Sequence, residues 1–152
     1  MAPVTDTARV LLTVAVLSAS AMATFAWRVT RLDFEDPARL IGELRLMQWA
    51  GIVLAGVSGI PIGLALGVPG APIAHLDVAA AVMFVGLAGF VLQQDPREGL
   101  LLACAGFFAH ALIDVAHRPG LLSPDLAPRW YSIGCAIHNV VFAGLCFWIR
   151  RR

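Results

Sequence analysis

Five long apolar runs dominate this sequence, and each is close to the length that a helix needs to cross a bilayer. They cover residues 10–27, 46–67, 72–94, 99–117 and 131–149. A membrane-spanning helix takes about 20 apolar residues, because the hydrocarbon core is about 30 Å thick. The intervening segments carry helix-starting and turn sequences: Asp36-Pro37, Asp95-Pro96 and Arg118-Pro119-Gly120. The sequence therefore predicts one all-α domain over residues 1–152, an integral membrane bundle of five transmembrane helices.

Composition agrees with a protein whose solvent is lipid. Hydrophobic residues make up 59% of the chain and charged residues 14%, and the mean hydropathy is +0.80, which is far more apolar than a usual soluble domain. The net charge is only +1, and the one basic block is the C-terminal Arg150-Arg151-Arg152. Without a basic surface there is no electrostatic basis for binding nucleic acid, so that class of partner is excluded. The expected partners are the lipid bilayer and, in addition, further copies of the chain or other membrane subunits.

The positions of the Arg residues predict how the bundle is oriented, because basic residues stay on the cytoplasmic side. A cytoplasmic C-terminus places eight Arg inside and three outside, whereas the opposite orientation reverses these numbers. The inner set is Arg28, Arg31, Arg39, Arg45, Arg97, Arg150, Arg151 and Arg152, and the outer set is Arg9, Arg118 and Arg129. We therefore expect the N-terminus outside and the C-terminus in the cytoplasm.

An alternative for the first run is a cleaved signal peptide. Arg9 precedes a short apolar stretch, and Ala21-Met22-Ala23 resembles a small-residue cleavage site. Cleavage would leave Arg28, Arg31, Arg39 and Arg45 outside together with the three terminal Arg, which conflicts with the charge rule. The charge distribution therefore favours a first transmembrane helix.

The second predicted helix has small residues along one face. They recur every four residues: Gly51, Ala55, Gly59, Gly63 and Gly67. Helices in lipid associate through close backbone approach across small residues, so this face should pack against a neighbour in the same chain or in another subunit. Pro61 lies inside the same helix and should bend it.

Ionisable side chains fall within the apolar runs, where charge is costly unless it is paired and is often functional. His110, Asp114 and His117 share one helix face, within roughly 60° of arc. In the predicted orientation they lie in the outer half of the bundle, and His138 on the fifth helix lies at the same depth as His110, roughly 10 Å from its outer end. His75 opens the third helix at the same side.

These residues suit a transition metal such as Zn, Cu or Fe. Neutral imidazole is a ligand for such ions, and a carboxylate is either a further ligand or a support that orients a ligating His. We expect a first set of His110, Asp114 and His138, completed by His117 or His75, with Cys135 one turn from His138. Asp77 and His75 face roughly opposite ways, so at most one of them should join the site.

Two alternatives stay open for the same residues. His110 and His138 alone, at matched depth on neighbouring helices, suit the two axial positions of a haem. In a purely structural role, Asp114 would instead pair with Arg118 four residues later, His117 would lie among the headgroups, and His110 and His138 would form hydrogen bonds between packed helices.

The last third of the chain resembles small bacterial multi-span membrane proteins. The shared pattern is a His, an Asp and a His on one helix, here His110, Asp114 and His117, then Pro128-Arg129-Trp130-Tyr131 and Cys135. The resemblance implies that these positions belong to one site in a bacterial inner membrane, and it implies no particular activity. The pattern has an acidic residue shortly after the Cys, where this chain has His138 and Asn139.

Three functions are consistent with the sequence. The first is a transition-metal-binding membrane protein with an outer-leaflet His/Asp cluster. The second is an accessory or structural subunit of a larger membrane complex. The third is a haem-linked or quinone-linked electron-transfer subunit. The sequence does not decide whether the protein is an enzyme.

Overall fold

The computed structural model describes residues 6–67, 75–117 and 129–152, and within them it contains five α-helices and no strand. The helices are α1 (Asp6–Val29), α2 (Pro37–Gly67), α3 (His75–Val91), α4 (Pro96–Ala116) and α5 (Arg129–Arg151). The predicted all-α class and the five helices are therefore confirmed. The predicted start of the third helix at residue 72 and most of the segment before the fifth lie outside the described residues.

Four of the helices are long and apolar enough to cross a membrane, which makes the chain a membrane protein in contact with lipid. They are α1, α2, α4 and α5. The apolar helix α3 is shorter, with 17 residues, close to the lower limit for a span. Large apolar side chains cover the outside of the bundle, as on α1, where Leu12 is 65% exposed and Leu17 is 64% exposed.

Helix α2 begins nine residues before the predicted apolar run, at Pro37 instead of residue 46. Its start agrees with the Asp36-Pro37 sequence: the Asp36 side chain accepts a hydrogen bond from the backbone N–H of Ala38 at 2.8 Å, and proline is well suited to a first helical position. The first turns carry charged residues that a search for apolar runs excludes. The apolar run therefore underestimated the length of α2, because ion pairs with distant residues allow these charged turns to be part of the helix.

These charged residues form an ion cluster, made of the buried Arg39 and Glu43 on α2 and the partly exposed Arg97 on α4. Arg39 Nε lies 3.1 Å from Glu43 Oε1, and Arg97 Nε lies 3.2 Å from Glu43 Oε2. The Glu43 side chain is only 6% exposed. Two guanidinium groups thus neutralise one buried carboxylate and fasten the beginning of α2 to that of α4. We call this side of the bundle the Arg end.

The hydrophobic core lies between the Arg end and the middle of the bundle. Its residues come from the C-terminal parts of α1, α3 and α5 and from the first halves of α2 and α4. Fully buried members include Met22, Leu46, Leu54, Phe107 and Phe142. Helix α4 packs against α2, α3 and α5, while α1 packs against α2 and α5. The opposite side, where α4 ends and α3 and α5 begin, is called the His end.

The small-residue face of α2 divides into two parts. A Cβ added at Gly51 would lie 2.8 Å from Leu92 Cδ2 beyond the end of α3, so this part packs within the chain. A Cβ added at Gly59 or Gly63 would meet no described atom within 4 Å. Ala55 is half-buried against the core, and the surroundings of Gly67 lie outside the described part of the chain. Contact of Gly59 and Gly63 with another subunit stays a prediction.

Candidate functional site

A buried triad of polar side chains joins α4 to α5 at the His end. Asn139 Nδ2 donates a hydrogen bond to Asp114 Oδ2 at 2.9 Å and lies 3.0 Å from His110 Nδ1. The same two α4 residues are 3.3 Å apart, between His110 Nδ1 and Asp114 Oδ2. All three are buried, with Asn139 fully so. The predicted placement of His110 and Asp114 on one face of α4 is therefore present, and Asn139 is the α5 residue that contacts both.

A second His–carboxylate pair joins α4 to α3. His117 Nε2 lies 3.0 Å from Asp77 Oδ1, and His117 Nδ1 lies 2.8 Å from the backbone carbonyl oxygen of Ile113. The Asp77 side chain is 4% exposed and that of His117 is 16% exposed. His117 is thus held at both ring nitrogens, and a buried carboxylate at the first turn of α3 has its partner.

Both pairs line one cavity between α2, α3, α4 and α5. Its volume is about 40 Å³, which is room for about two or three water molecules. Pro61 of α2 and Phe84 of α3 supply apolar parts of its wall, and Tyr131 and Ser132 supply polar parts from α5. The remaining lining side chains are Asp77, Ala80, Ala81, His110, Ile113, Asp114 and His117.

Tyr131 adds a buried hydroxyl to this cavity. Its hydroxyl oxygen is out of contact with the exterior and has no hydrogen bond of good geometry to any described residue. The Cys135 thiol lies beside it, one helical turn along α5, but a thiol is only a weak acceptor. The hydroxyl therefore retains hydrogen-bonding capacity towards the cavity.

His138 lies beside the triad without lining the cavity. Its ring packs on that of Phe142, with 4.5 Å between the ring centroids, while the His110 ring packs on Phe84, with 5.0 Å between centroids. The two His predicted as a haem pair therefore face different aromatic neighbours. Haem binding stays a prediction, and the cavity itself is far below the size of an organic cofactor site, about 300 Å³ or more.

Among the described side chains, no group of three or more His, Cys, Asp or Glu is arranged to hold a metal ion. Of the predicted ligands, His110 and Asp114 are together, and His117 is paired separately with Asp77. The side chain of His75 lies outside what the structure describes. Binding of a metal stays a prediction, and so does the part that each residue would take in it.

No family model matches the chain, and no curated protein or solved structure matches it significantly. The resemblance to small bacterial membrane proteins therefore remains an expectation from the residues quoted above. What the site does has to be inferred from its own chemistry.

The His and Asp side chains that line the cavity supply two types of ionisable group, imidazole and carboxylate. Imidazole and carboxylate groups bind and release protons, and the imidazole does so near neutral pH. Two such pairs line one small cavity, so several side-chain atoms around it can carry a proton. In membrane interiors, Asp and His side chains arranged in this manner are typical of proton relays.

Sequence reasoning missed Asn139 as a member of this site, left the choice between Asp77 and His75 open, and included Tyr131 only through the resemblance. Asn139 has a recognisable signal: it continues the buried stripe of α5 at spacings of three and four residues. That stripe consists of Asn139, Phe142, Ala143, Cys146 and Ile149. The neighbouring His138 is rotated by about 100° from it. Asp77 could not be chosen over His75, since that choice depends on how α3 is rotated against α4.

Proposed function

We propose that this membrane protein takes up protons at the His end and passes them on within the cavity, as the proton-exchanging element of a membrane process. The observation that carries the proposal is that two buried His–carboxylate pairs, His110 with Asp114 and His117 with Asp77, line the same cavity. Packing alone does not require ionisable groups there, because each charge removed from water destabilises the fold unless it is paired.

The contacts of His117 support exchange at the second pair. The carbonyl oxygen of Ile113 only accepts hydrogen bonds, so His117 Nδ1 carries a proton and donates it at 2.8 Å. A further proton must then lie between Nε2 and Asp77 Oδ1, which are 3.0 Å apart. It belongs to either partner without breaking the hydrogen bond. Such a pair shares one proton between the ring and the carboxylate, and the second oxygen of Asp77 can accept another.

Proton uptake by purified protein tests the proposal. The protein is reconstituted into lipid nanodiscs and titrated with acid in weakly buffered solution, and the bound protons are counted with an indicator dye. We expect the double variant Asp77→Asn with Asp114→Asn to bind about two fewer protons than the wild type, one for each carboxylate. The control is Leu112→Ala, which changes an exposed apolar residue of α4 and no ionisable group. Loss of the same protons in the control, or identical curves for the wild type and double variant, would exclude proton exchange at this cavity.

A transition metal is the second candidate. The contact of His110 with Asp114 has the form in which a carboxylate orients a metal-ligating imidazole, with the other ring nitrogen left for the metal. Such binding requires that the proton of His110 be on Nδ1. Elemental analysis for Zn, Cu and Fe, combined with a visible absorbance spectrum for haem, tests both cofactors on one preparation. Stoichiometric metal that is lost in His110→Ala would favour this candidate.

We also propose a location in a bacterial inner membrane, with the N-terminus and the His end outside and the Arg end in the cytoplasm. The eight-to-three distribution of Arg supports this orientation. Labelling of single cysteines in intact cells tests it in a background without the native ones, with one Cys at Ser123 and another after Arg152. Reaction of an impermeant reagent with the tail and not with position 123 would reverse the orientation.

Association with other subunits, or with further copies of the chain, is proposed for the α2 face that contains Gly59 and Gly63. The open space beside both residues supports it. An accessory role in a larger complex is compatible with proton exchange, since the cavity lies among α2 to α5 within one chain. Copurification of a second membrane subunit, lost when Gly59 is replaced by Leu, would support that role.

A further inference from the structure

The cavity is lined by hydrogen-bond donors and acceptors that have no partner among the described residues. The first of these is a donor on His110. The Asn139 amide nitrogen only donates, and its two hydrogens are directed to Asp114 Oδ2 at 2.9 Å and His110 Nδ1 at 3.0 Å. His110 Nδ1 is therefore an acceptor, and the neutral ring carries its proton on Nε2. No hydrogen bond joins Nε2 to a described residue, and the ring lines the cavity. Asn139 thus sets which nitrogen of His110 is the donor.

The Tyr131 hydroxyl is the second donor, and the two carboxylates supply acceptors. Hydrogen bonds to described residues use Oδ2 of Asp114 and Oδ1 of Asp77, which leaves one oxygen of each carboxylate. Both donors and acceptors therefore line a space of about 40 Å³. A buried water requires about 10 to 15 Å³ in this measure and two to four polar partners. Both conditions are met for more than one water molecule.

We propose that the cavity binds a chain of two or three water molecules that connects Asp77 with Asp114, so that a proton can pass between the two carboxylates. This inference rests on the proposed proton exchange and adds the connection between the pairs. His110 Nε2–H and the Tyr131 hydroxyl hold the waters in place. These groups suit water, whose oxygen both accepts and donates hydrogen bonds. A metal ion, in contrast, cannot bind to a protonated nitrogen.

Transfer along this chain conserves charge. A proton that arrives at Asp77 is released to the adjacent water, whose own O–H proton moves to the next water, and the last water protonates the free oxygen of Asp114. Each water gains one O–H bond and loses another, and Asp114 gains the proton that Asp77 gave up. His110 keeps its Nε2 proton throughout, so it is a positioning residue in this step.

The ionisable groups around the chain come from three helices. Asp77 is on α3, and His110, Asp114 and His117 are on α4, while α5 contributes Tyr131, with Cys135 and His138 behind it. The α2 contribution to the wall, Pro61, carries no charge. A variant that fills the cavity without changing any of these groups therefore tests the water chain itself.

Infrared difference spectra of the protein in nanodiscs, recorded during acid titration, test the proposal. Water bands are identified by their shift in H₂¹⁸O. We expect a shifted water band in the wild type, and we expect this band to change in both Asp77→Asn and Asp114→Asn, because the chain connects the two carboxylates. Absence of a shifted water band in the wild type would overturn the inference and leave proton uptake at the separate pairs intact.

A cavity-filling variant provides the second test. Ala81 is 3% exposed and lines the cavity from α3, so Ala81→Leu places a side chain where the waters would be. We expect it to abolish the water band that the wild type shows. Ala79→Leu is the matched control, because Ala79 lies on the exposed side of the same helix. An unchanged water band in a folded Ala81→Leu variant would place the waters outside this cavity and overturn the inference. The H₂¹⁸O comparison needs no variant, so it decides the question even if Ala81→Leu fails to fold.

Discussion

Asn139 Nδ2 lies 2.9 Å from Asp114 Oδ2, and this hydrogen bond connects α5 to the only carboxylate in the buried triad of α4 and α5. The amide is fully buried. Its donation to a carboxylate inside the bundle is a charge-assisted bond, which is stronger than one between neutral groups. It therefore stabilises the helix pair and, through its second hydrogen, fixes the ring of His110.

Replacing Asn139 by Ala removes both hydrogen bonds and leaves Asp114 with fewer partners. We expect the free energy of unfolding to fall by about 1 to 3 kcal/mol, because a buried polar group loses its donor. Unfolding in mixed micelles of a mild detergent and dodecyl sulfate measures this. Val140→Ala is the control, since Val140 is the next residue and is 52% exposed. Equal losses in the two variants would contradict a special role for the amide.

The same variant should change the protonation pattern of His110. In the wild type, ¹⁵N spectra of the His-labelled protein should show the His110 proton on Nε2, identified by loss of the signal in His110→Ala. Asn139→Ala frees Nδ1 from its donor, so the proton should become distributed over both nitrogens, with Nδ1–H then able to donate to Asp114 at the present 3.3 Å. A wild-type ring already protonated on Nδ1 would contradict the assignment and favour a metal at Nε2.

Removal of the negative charge at the centre of the Arg-end cluster should lower the free energy of unfolding by more than Asn139→Ala does. In Glu43→Gln, the Arg39 guanidinium, whose side chain is 7% exposed, remains buried without a counter-charge. Breaking a buried ion pair costs about 3 to 5 kcal/mol of stability. Arg97→Gln should cost less, about 0 to 1 kcal/mol, because the Arg97 side chain is 41% exposed and its charge is screened by solvent. The micellar unfolding experiment ranks the two, and a larger loss for Arg97→Gln would be inconsistent with this cluster geometry.

The number and class of the helices were predictable because lipid imposes a length and an apolar composition on every spanning segment. The rotation of each helix was harder to predict. Buried residues on α2, such as Glu43, Leu46, Met47 and Leu54, follow the spacing of one helix face, so Glu43 belongs to the inward side. Hydropathy alone places a glutamate in a loop, since the favourable contact with Arg97 comes from a residue far away in the sequence.

The site was predictable to the extent that it is local. His110 and Asp114 are four residues apart on one helix, and their contact follows from helix geometry. The choice of Asn139 over His138, and of Asp77 as the partner of His117, depends on how three helices are rotated about their axes. Depth in the membrane, which the sequence does provide, is the same for His138 and Asn139 to within about 1.5 Å and so cannot distinguish them.

Substitutions on the α2 face separate packing within the chain from association between chains. Gly51→Leu should lower the unfolding free energy by about 1 to 3 kcal/mol, because its Cβ alone would approach Leu92 to 2.8 Å. Gly59→Leu should leave the monomer as stable as the wild type, or more stable by up to about 1 kcal/mol from helix propensity. If the face joins copies of the chain, Gly59→Leu should also shift oligomers to monomers in size-exclusion chromatography with light scattering. A large loss of monomer stability in Gly59→Leu would contradict the open space beside it.

The contact between His117 and Asp77 is the polar link between α3 and α4 in the described part of the site, and a double-mutant cycle should measure it. Either single substitution by Ala leaves one partner of a 3.0 Å contact inside the bundle, so each should destabilise by about 1 to 3 kcal/mol. Because the second substitution then removes a group that has already lost its partner, the double variant should be less unstable than the sum of the singles. A coupling energy of about 0.5 to 3 kcal/mol is typical of residues in contact. Asp77→Ala combined with Glu98→Ala, at the opposite end of the bundle, should be additive within about 0.5 kcal/mol. Additivity in the His117 cycle as well would mean that the pair does not hold α3 against α4. The wall of the cavity on that side would then depend on apolar contacts, such as that of Phe84 with the His110 ring.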